Sequence, residues 1–139
     1  MKNFLSVFIL ILGAVRLSAQ APVAAADPNA PAITFDVADN TIDFGNVAQY
    51  SDAVRTFTFT NTGKTDLVIT SIKGQCGCTT ILPDSWSKEP IPPGGKGSFK
   101  VKYDTSVRIG NFDKQIMIYS NAPMATVKIK GVVTAAPGN

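Results

Sequence analysis

The sequence contains no histidine and only two cysteines among its 139 residues. Without histidine, the chain has no imidazole base for a Ser-His or Cys-His catalytic pair. Two cysteines also fall short of the four ligands, usually cysteine or histidine, that a structural zinc site needs. The sequence has no G-x-S-x-G motif, no P-loop and no dinucleotide-binding fingerprint. It therefore predicts a protein that is not an enzyme, unless its cysteines act in thiol–disulfide exchange.

The N-terminal apolar run, Phe4–Val15, is shorter than the about 20 residues that a transmembrane helix needs. It follows Lys2 and precedes the small residues around Ala19, a pattern typical of a secretory signal peptide. We expect residues 1–19 to be cleaved off after Ala19, which leaves a soluble periplasmic or secreted protein with no transmembrane segment. Since no cysteine follows the run, the lipid anchor of bacterial lipoproteins is not expected.

The mature chain carries little excess charge. The full sequence has 13 basic and 10 acidic residues, and loss of Lys2 and Arg16 leaves eleven basic residues against ten acidic ones. A net charge near +1 does not favour nucleic-acid binding. Residues 20–31 contain three prolines and many alanines, so we expect an extended linker there. We expect residues 135–139 to form a disordered tail.

Short stretches of alternating apolar and polar residues, separated by turn residues, fill residues 32–134. The alternation places Phe57 and Phe59 on one strand face, and it places Phe99 and Val101 together on another. About seven to nine short strands without helical periodicity predict an all-β domain made of two packed sheets.

Three glycines mark irregular positions in this pattern. Gly45 predicts a bulge or a close backbone approach within a strand. Pro93 and Gly94 predict a type II turn, and Gly110 with Asn111 predicts a turn before the next strand.

The two cysteines, Cys76 and Cys78, are separated by Gly77. In an extended segment their side chains share one face, with Cα atoms about 6.6 Å apart. That separation is near the upper limit for a disulfide, about 4.4–6.8 Å, and a bend at Gly77 could shorten it. A disulfide that closes so small a loop is worth roughly 1.6 kcal/mol before strain is subtracted, so we expect it to be a weak and readily reduced cross-link.

Three interpretations of this pair stay open. The cysteines can be small apolar side chains at the edge of the core, with Gly77 at a bulge, and the sequence favours this reading. They can form a redox or intermolecular disulfide site. They can also act as metal ligands, with Cys76 and Cys78 binding Cu(I) as thiolates. No other cofactor is expected.

Trp86 is the remaining candidate for a binding residue. It lies in a loop rich in proline and glycine, where an exposed aromatic side chain can anchor a partner. The alternative, which the sequence favours, is a tryptophan folded over the open end of the sandwich. The acidic residues Asp36, Asp39 and Asp43 lack calcium-binding loop spacing and are interpreted as turn and surface residues.

An ordered set of short motifs resembles the bacterial domain-of-unknown-function 1573 family. The resemblance covers roughly residues 33–133 and implies an immunoglobulin-like fold, similar to the Hydin-type and major-sperm-protein domains, in an exported bacterial protein. It implies no established activity. The motifs are Asp43-Phe44-Gly45-x-Val47, Phe59-Thr60-Asn61-Thr62-Gly63, Cys76-Gly77-Cys78-Thr79, Pro90-Ile91-x-Pro93-Gly94, Tyr103-Asp104 and Ser120-Asn121-Ala122.

These observations predict a non-catalytic immunoglobulin-like adaptor or structural protein of the bacterial cell envelope. It would bind envelope or secreted proteins through its loops or through an exposed sheet edge. The alternative prediction is a thiol module that uses Cys76 and Cys78 for redox exchange or Cu(I) binding.

Overall fold

A computed structural model describes residues 27–138, and these residues form an all-β domain. The predicted signal peptide and most of the predicted linker lie outside the described residues. Within that part of the chain, no helix is long and apolar enough to span a membrane. The strands are β1 (Ile33–Phe35), β2 (Thr41–Ala48), β3 (Asp52–Asn61), β4 (Ile69–Gly74), β5 (Thr79–Ile81), β6 (Lys96–Asp104), β7 (Gly110–Ser120) and β8 (Ala125–Thr134), with one 3-10 turn at Ala38–Asn40.

The strands form two four-stranded sheets, which confirms the predicted sandwich. One sheet has the order β1-β3-β6-β5, and the other has the order β2-β8-β7-β4. Only β2 and β8 pair in parallel; the other neighbours in the described sheets are antiparallel. The chain leaves the first sheet after β1 and enters the second sheet at β2. The edge strands are β1 and β5 in the first sheet and β2 and β4 in the second. Two of these edge strands, β4 and β5, follow each other in sequence although they belong to different sheets.

The core lies between the sheets and is built by the alternation that the sequence shows. Phe57 and Phe99 are fully buried and stack with ring centroids 5.1 Å apart. The inward positions of β7 and β8 meet them from the other sheet, because the buried residues of these strands all lie on the same alternating set of positions. The fully buried apolar side chains are Phe57, Phe59, Phe99, Leu67, Ile116, Ile118, Ile129, Val101, Val127 and Val133.

Two of the three predicted irregular positions are confirmed. The pairing of β2 with β8 shifts between Asp43 and Asn46, and Gly45 has a φ of 65°. The backbone N–H of Gly95 donates to the Pro92 carbonyl at 2.8 Å across the predicted type II turn. The prediction for Gly110 is wrong, because β7 begins at this residue and the chain reverses earlier, in residues 105–109.

The last residues of the predicted linker pack against the domain. The Thr65 hydroxyl donates to the Asn29 carbonyl at 2.9 Å, and Pro31 is buried. A side chain at Gly63 would collide with the backbone of residues 30–32, so this close approach requires glycine. The ordered domain therefore begins before residue 32.

Asn61 organises this end of the sandwich through its fully buried side chain. Its amide nitrogen donates to the carbonyls of Thr65 and Ile91 at 2.8 and 2.9 Å. Its amide oxygen accepts from the backbone N–H groups of Ala32 and Gly63 at 3.3 and 3.0 Å. One side chain thus fixes the entry to β1, the β3–β4 connection and the loop before β6. We name this region the Asn61 end.

Replacement of Asn61 by alanine should destabilise the fold strongly. It removes four hydrogen bonds, three of them part-buried and one buried, and a buried group left without a partner costs about 1–3 kcal/mol. Asn121 is a matched control, since its exposed amide also bridges two backbone groups, Asp66 and Val68. We expect Asn121→Ala to cost about 1 kcal/mol or less. Urea unfolding of both variants tests this; similar losses would contradict it.

Packing, not the disulfide, should dominate stability. Phe57→Ala removes a fully buried ring and should cost about 3–5 kcal/mol. The double replacement Cys76→Ser, Cys78→Ser removes a cross-link worth roughly 1.6 kcal/mol at most. Thermal melts of the two variants give the comparison. Equal drops in Tm would show that the ranking is wrong.

Candidate functional site

The two cysteines lie where the chain crosses from one sheet to the other. Gly74, the last residue of β4, pairs with β7, whereas Thr79, the first residue of β5, pairs with β6. A side chain at Gly74 would collide with the backbone of Thr79, which shows how tightly the two edge strands converge. Residues 75–78 therefore form a sharp turn between sheets, and the extended conformation considered from the sequence is wrong.

Backbone hydrogen bonds hold this crossover turn on both sides. The Thr79 N–H closes the turn onto the Cys76 carbonyl at 3.1 Å. The Gln75 N–H donates to the Gln115 carbonyl of β7 at 2.9 Å, and the Asp104 N–H at the end of β6 donates to the Cys78 carbonyl at 2.8 Å. The Gln75 side-chain oxygen also accepts from the Gln115 N–H at 3.2 Å, so the turn is fixed to both sheets.

Cys76 and Cys78 are joined in a disulfide, and their Cα atoms are 5.3 Å apart. This separation is well within the usual range for disulfides, so the predicted stretch of the Cα–Cα distance is wrong. Both residues are half-buried. Cys78 is one of the half-buried apolar side chains that pack against the core, a set that does not include Cys76. The hydroxyl of the buried Thr79 lies 3.8 Å from the Cys76 sulfur and 4.0 Å from the Cys78 sulfur.

Gly77 occupies the exposed tip of the turn. A Cβ added there would meet no atom within 4 Å, and its φ is outside the left-handed region. Neither the backbone conformation nor the available space requires glycine at this position. The bend considered at Gly77 is present and brings the two Cα atoms to 5.3 Å, but it does not depend on glycine.

Two further connections meet at the same end of the sandwich as the crossover turn. The Thr105 hydroxyl in the β6–β7 connection donates to the Ser51 carbonyl in the β2–β3 connection at 2.9 Å. These braced loops expose three large apolar side chains: Tyr50, Val107 and Ile109 are 72%, 67% and 54% exposed. Sequence reasoning did not single them out, although apolar residues within a turn segment were the available signal.

The register brings these loops close to the disulfide. Asp52 of β3 pairs with Asp104 of β6, and Asp104 is hydrogen-bonded to Cys78. Because neighbouring strands are about 4.8 Å apart, this row of three residues spans only about 10 Å. We name the surface formed by Tyr50, residues 76–78, Val107 and Ile109 the disulfide end.

Fixed charges border this surface. Lys102 donates a hydrogen bond to Asp52 at 2.6 Å, and this bond with the lysine charge lowers the pKa of Asp52 and raises that of Lys102. Hydrogen bonds from the Ser106 hydroxyl and backbone N–H lower the pKa of Asp104. These side chains and Tyr50 line a shallow cavity of about 230 Å³. The charges stay constant at neutral pH, so the surface is apolar at its tips and ionised at its rim.

Trp86 does not belong to the disulfide end. It is half-buried and packs against the core. The loop that carries Trp86 runs beside β6, since the Lys100 N–H donates to the Ser85 hydroxyl at 3.0 Å. Lys100 is three residues before Tyr103, the partner of Thr79, which separates the two candidate sites by about 10 Å along the strand.

A second, larger depression lies on the outer face of the other sheet, beside the bulge at Gly45. It measures about 430 Å³ and is lined by polar side chains that include Asn46, Asn111 and Asp113. Asp43 and Lys130 form an exposed ion pair across it at 3.7 Å. This arrangement agrees with the interpretation of Asp43 as a surface residue.

The family described as "Protein of unknown function (DUF1573)" matches residues 34–133 of this chain, which include both cysteines and all eight strands except their outermost residues, Ile33 and Thr134. No curated protein matches the chain.

Solved structures with similar folds come from bacteria and from human. They include a protein of unknown function from Porphyromonas gingivalis W83 (20% identity, TM-score 0.64, covering 79% of this chain and 50% of that chain). The VesB protease of Vibrio cholerae is similar at 18% identity and a TM-score of 0.55, over 76% of this chain and 32% of that one. The ASH / PapD-like domain of human CEP192 (PapD-like domain 7) has 12% identity and a TM-score of 0.59, and the match covers 97% of this chain and 100% of that one. This chain spans half or less of the two bacterial structures. At these identities the likeness shows the immunoglobulin-like fold alone.

Replacement of Gly77 should leave stability unchanged. Because a side chain there meets open space, Gly77→Ala and Gly77→Val should shift the free energy of unfolding by about 0.5 kcal/mol or less. Gly63→Ala is the contrasting variant, since its Cβ collides with backbone, and we expect a loss of more than about 1 kcal/mol. Chemical unfolding measures both. A large loss for Gly77→Ala would show that the turn needs glycine after all.

Proposed function

The chain belongs to the DUF1573 family of proteins of unknown function, and on that premise we propose that it is an exported, non-catalytic adaptor or structural protein of the bacterial cell envelope. The signal-peptide pattern in residues 1–19 supports export to the periplasm or the exterior. The lack of histidine in the sequence supports a non-catalytic role. The partners would be other envelope or secreted proteins.

The observation that carries this proposal is the exposure of Tyr50, Val107 and Ile109 on two loops that are hydrogen-bonded to each other. Large apolar side chains exposed together on a small domain mark a surface for protein contact. Loops held by a buried hydroxyl lose little freedom on binding, which favours affinity. Tyrosine is also among the residues that contribute most at interfaces.

Three of the four sheet edges, those formed by β1, β2 and β5, support strand addition less well than the loops support docking. β1 and β5 are only three residues long, and short edge strands offer few free backbone groups. Along β2, Arg55 reaches across from the other sheet and donates to the Phe44 carbonyl at 3.3 Å. Its guanidinium also lies over the Phe44 ring, 4.8 Å from the centroid. We therefore place the partner on the loops.

The alternative use of Cys76 and Cys78 as Cu(I) ligands requires a different state of the pair. Cu(I) binds thiolates, and both sulfurs are bonded to each other in the structure. Two electrons would have to reduce the disulfide to two thiolates before the pair could hold the metal. Redox exchange needs no such prior step, because the disulfide is itself the reactant.

Site-specific crosslinking tests the adaptor proposal. A photoreactive phenylalanine analogue in place of Tyr50 should yield discrete protein adducts in intact cells. The same analogue in place of Met124 is the control, because Met124 is 58% exposed but lies in the β7–β8 turn at the Asn61 end. Serine at Val107 and Ile109 should lower the adduct yield at position 50 by about tenfold, as loss of two apolar contacts predicts. Equal labelling from positions 50 and 124 would contradict the proposal.

A further inference from the structure

The disulfide is placed where it adds little to the fold. It joins residues only two positions apart, so it closes a very small loop. Backbone hydrogen bonds from Gln75 to β7, from Asp104 to Cys78 and within the turn already fix the same residues. A structural cross-link gains most when it joins segments that are distant in sequence. A role in stability therefore does not account for this cross-link.

The two sulfurs lie in different surroundings. Cys78 packs against the hydrophobic core, whereas Cys76 is not among the side chains that do so. The exposed Gly77 between them carries no side chain, and the space beyond its Cα is open. Of the two cysteines, Cys76 is therefore the one that does not pack against the core, and attack on its sulfur would leave Cys78 as the departing sulfur.

A hydroxyl lies beside both sulfurs. The Thr79 hydroxyl is 3.8 Å from the Cys76 sulfur and 4.0 Å from the Cys78 sulfur, and it is held on a buried residue at the start of β5. A hydroxyl that donates to a thiolate stabilises its charge and so lowers the barrier to its departure.

Two loops with exposed apolar side chains lie at the same end of the sandwich as the disulfide. Tyr50 and Val107 project from loops next to the strand end that is hydrogen-bonded to Cys78. A hydrophilic small thiol gains nothing from such neighbours, but a polypeptide with apolar side chains beside its cysteine does.

From these observations we propose that the Cys76–Cys78 disulfide exchanges with cysteine thiols of a polypeptide that docks on the disulfide end. This inference rests on the proposed adaptor surface and adds a chemical step to it. The partner is a protein with two neighbouring reduced cysteines and apolar residues beside them.

The exchange is balanced without any further reactant. A thiolate of the partner attacks the Cys76 sulfur, the Cys76–Cys78 bond breaks, and a mixed disulfide forms between the partner and Cys76. Cys78 leaves as a thiolate and takes up a proton from solvent. The thiolate of the partner's second cysteine then attacks the sulfur of the partner's first cysteine in the mixed disulfide. This step releases Cys76 as a thiolate, which is protonated in turn. The partner loses two electrons and two protons, and the cysteine pair gains them.

The test uses two synthetic peptides as probes for the purified oxidised protein. Each has a central cysteine flanked by glycines, so their thiols ionise alike; the outer residues are leucines in one and serines in the other. Mixed disulfides are quenched with acid, measured by mass spectrometry over time, and located by fragmentation. We expect the leucine peptide to react about tenfold faster, which corresponds to about 1.4 kcal/mol of docking, and to be attached to Cys76.

Variants separate approach, docking and departure. Gly77→Val should slow both peptides about tenfold by blocking the approach, with unfolding unchanged. Serine at Tyr50, Val107 and Ile109 should remove the advantage of the leucine peptide and leave the serine peptide unaffected. Thr79→Val should slow both peptides, and Thr79→Ser should restore the rate.

Three results would overturn the inference: equal rates for the two peptides, attachment to Cys78, or reaction only under conditions that unfold the protein. Its failure can be told apart from failure of the adaptor proposal. The double variant Cys76→Ser, Cys78→Ser keeps the apolar tips, so crosslinking from position 50 in that variant reports docking without the sulfurs. Adducts there combined with no exchange would retain the adaptor and reject the chemistry.

Discussion

The buried amide of Asn61 is the interaction on which one whole end of the molecule depends. Its nitrogen and oxygen use all of their hydrogen-bonding capacity on backbone groups from the chain before β1, the turn after β3 and the loop before β6. In the same region, Leu67 and Ile91 exchange a pair of backbone hydrogen bonds at 2.8 Å each. A buried polar group is tolerable only when fully paired, so these three connections can adopt one arrangement and no other. With the base of the sandwich fixed in this way, the loops at the opposite end are free to present exposed side chains.

Most of the fold follows from local rules that the sequence displays. Alternation of apolar and polar residues located every strand, because one face of each sheet must be buried and successive side chains point to opposite faces. The turn at Pro93 and Gly94 could also be predicted from the sequence, because a type II turn requires a positive φ at its third residue, which is Gly94. Gly110 misled, because its positive φ, 115°, lies at the start of a strand and not within the turn before it. A glycine in the sequence indicates a special backbone conformation or a close contact nearby. It does not indicate whether that residue belongs to the turn or to the strand that follows it.

The candidate site was predictable only in part. The C-x-C spacing identified the residues, yet the alternation argument assumed that the chain ran straight through them. It does not, because β4 and β5 belong to different sheets, and sheet membership depends on long-range pairing that periodicity does not encode. Because long-range pairing is not encoded in the periodicity, the sequence also did not show which residues lie near Cys76 and Cys78. Tyr50 is about 26 residues before Cys76 in the sequence, and only the register of β3 with β6 and the bond from Asp104 to Cys78 bring them to one surface.

The chain enters and leaves the domain at opposite ends, which has a practical consequence for any protein fused to it. Ala32 enters at the Asn61 end, where its N–H is bonded to the Asn61 oxygen, whereas Thr134 finishes β8 beside Gln49, whose N–H it accepts at 2.8 Å. A tag or fusion partner placed after residue 138 therefore sits next to the braced loops and can shield them. One placed before residue 27 lies at the far pole. Fusion before the first strand is thus the arrangement that leaves the disulfide end uncovered.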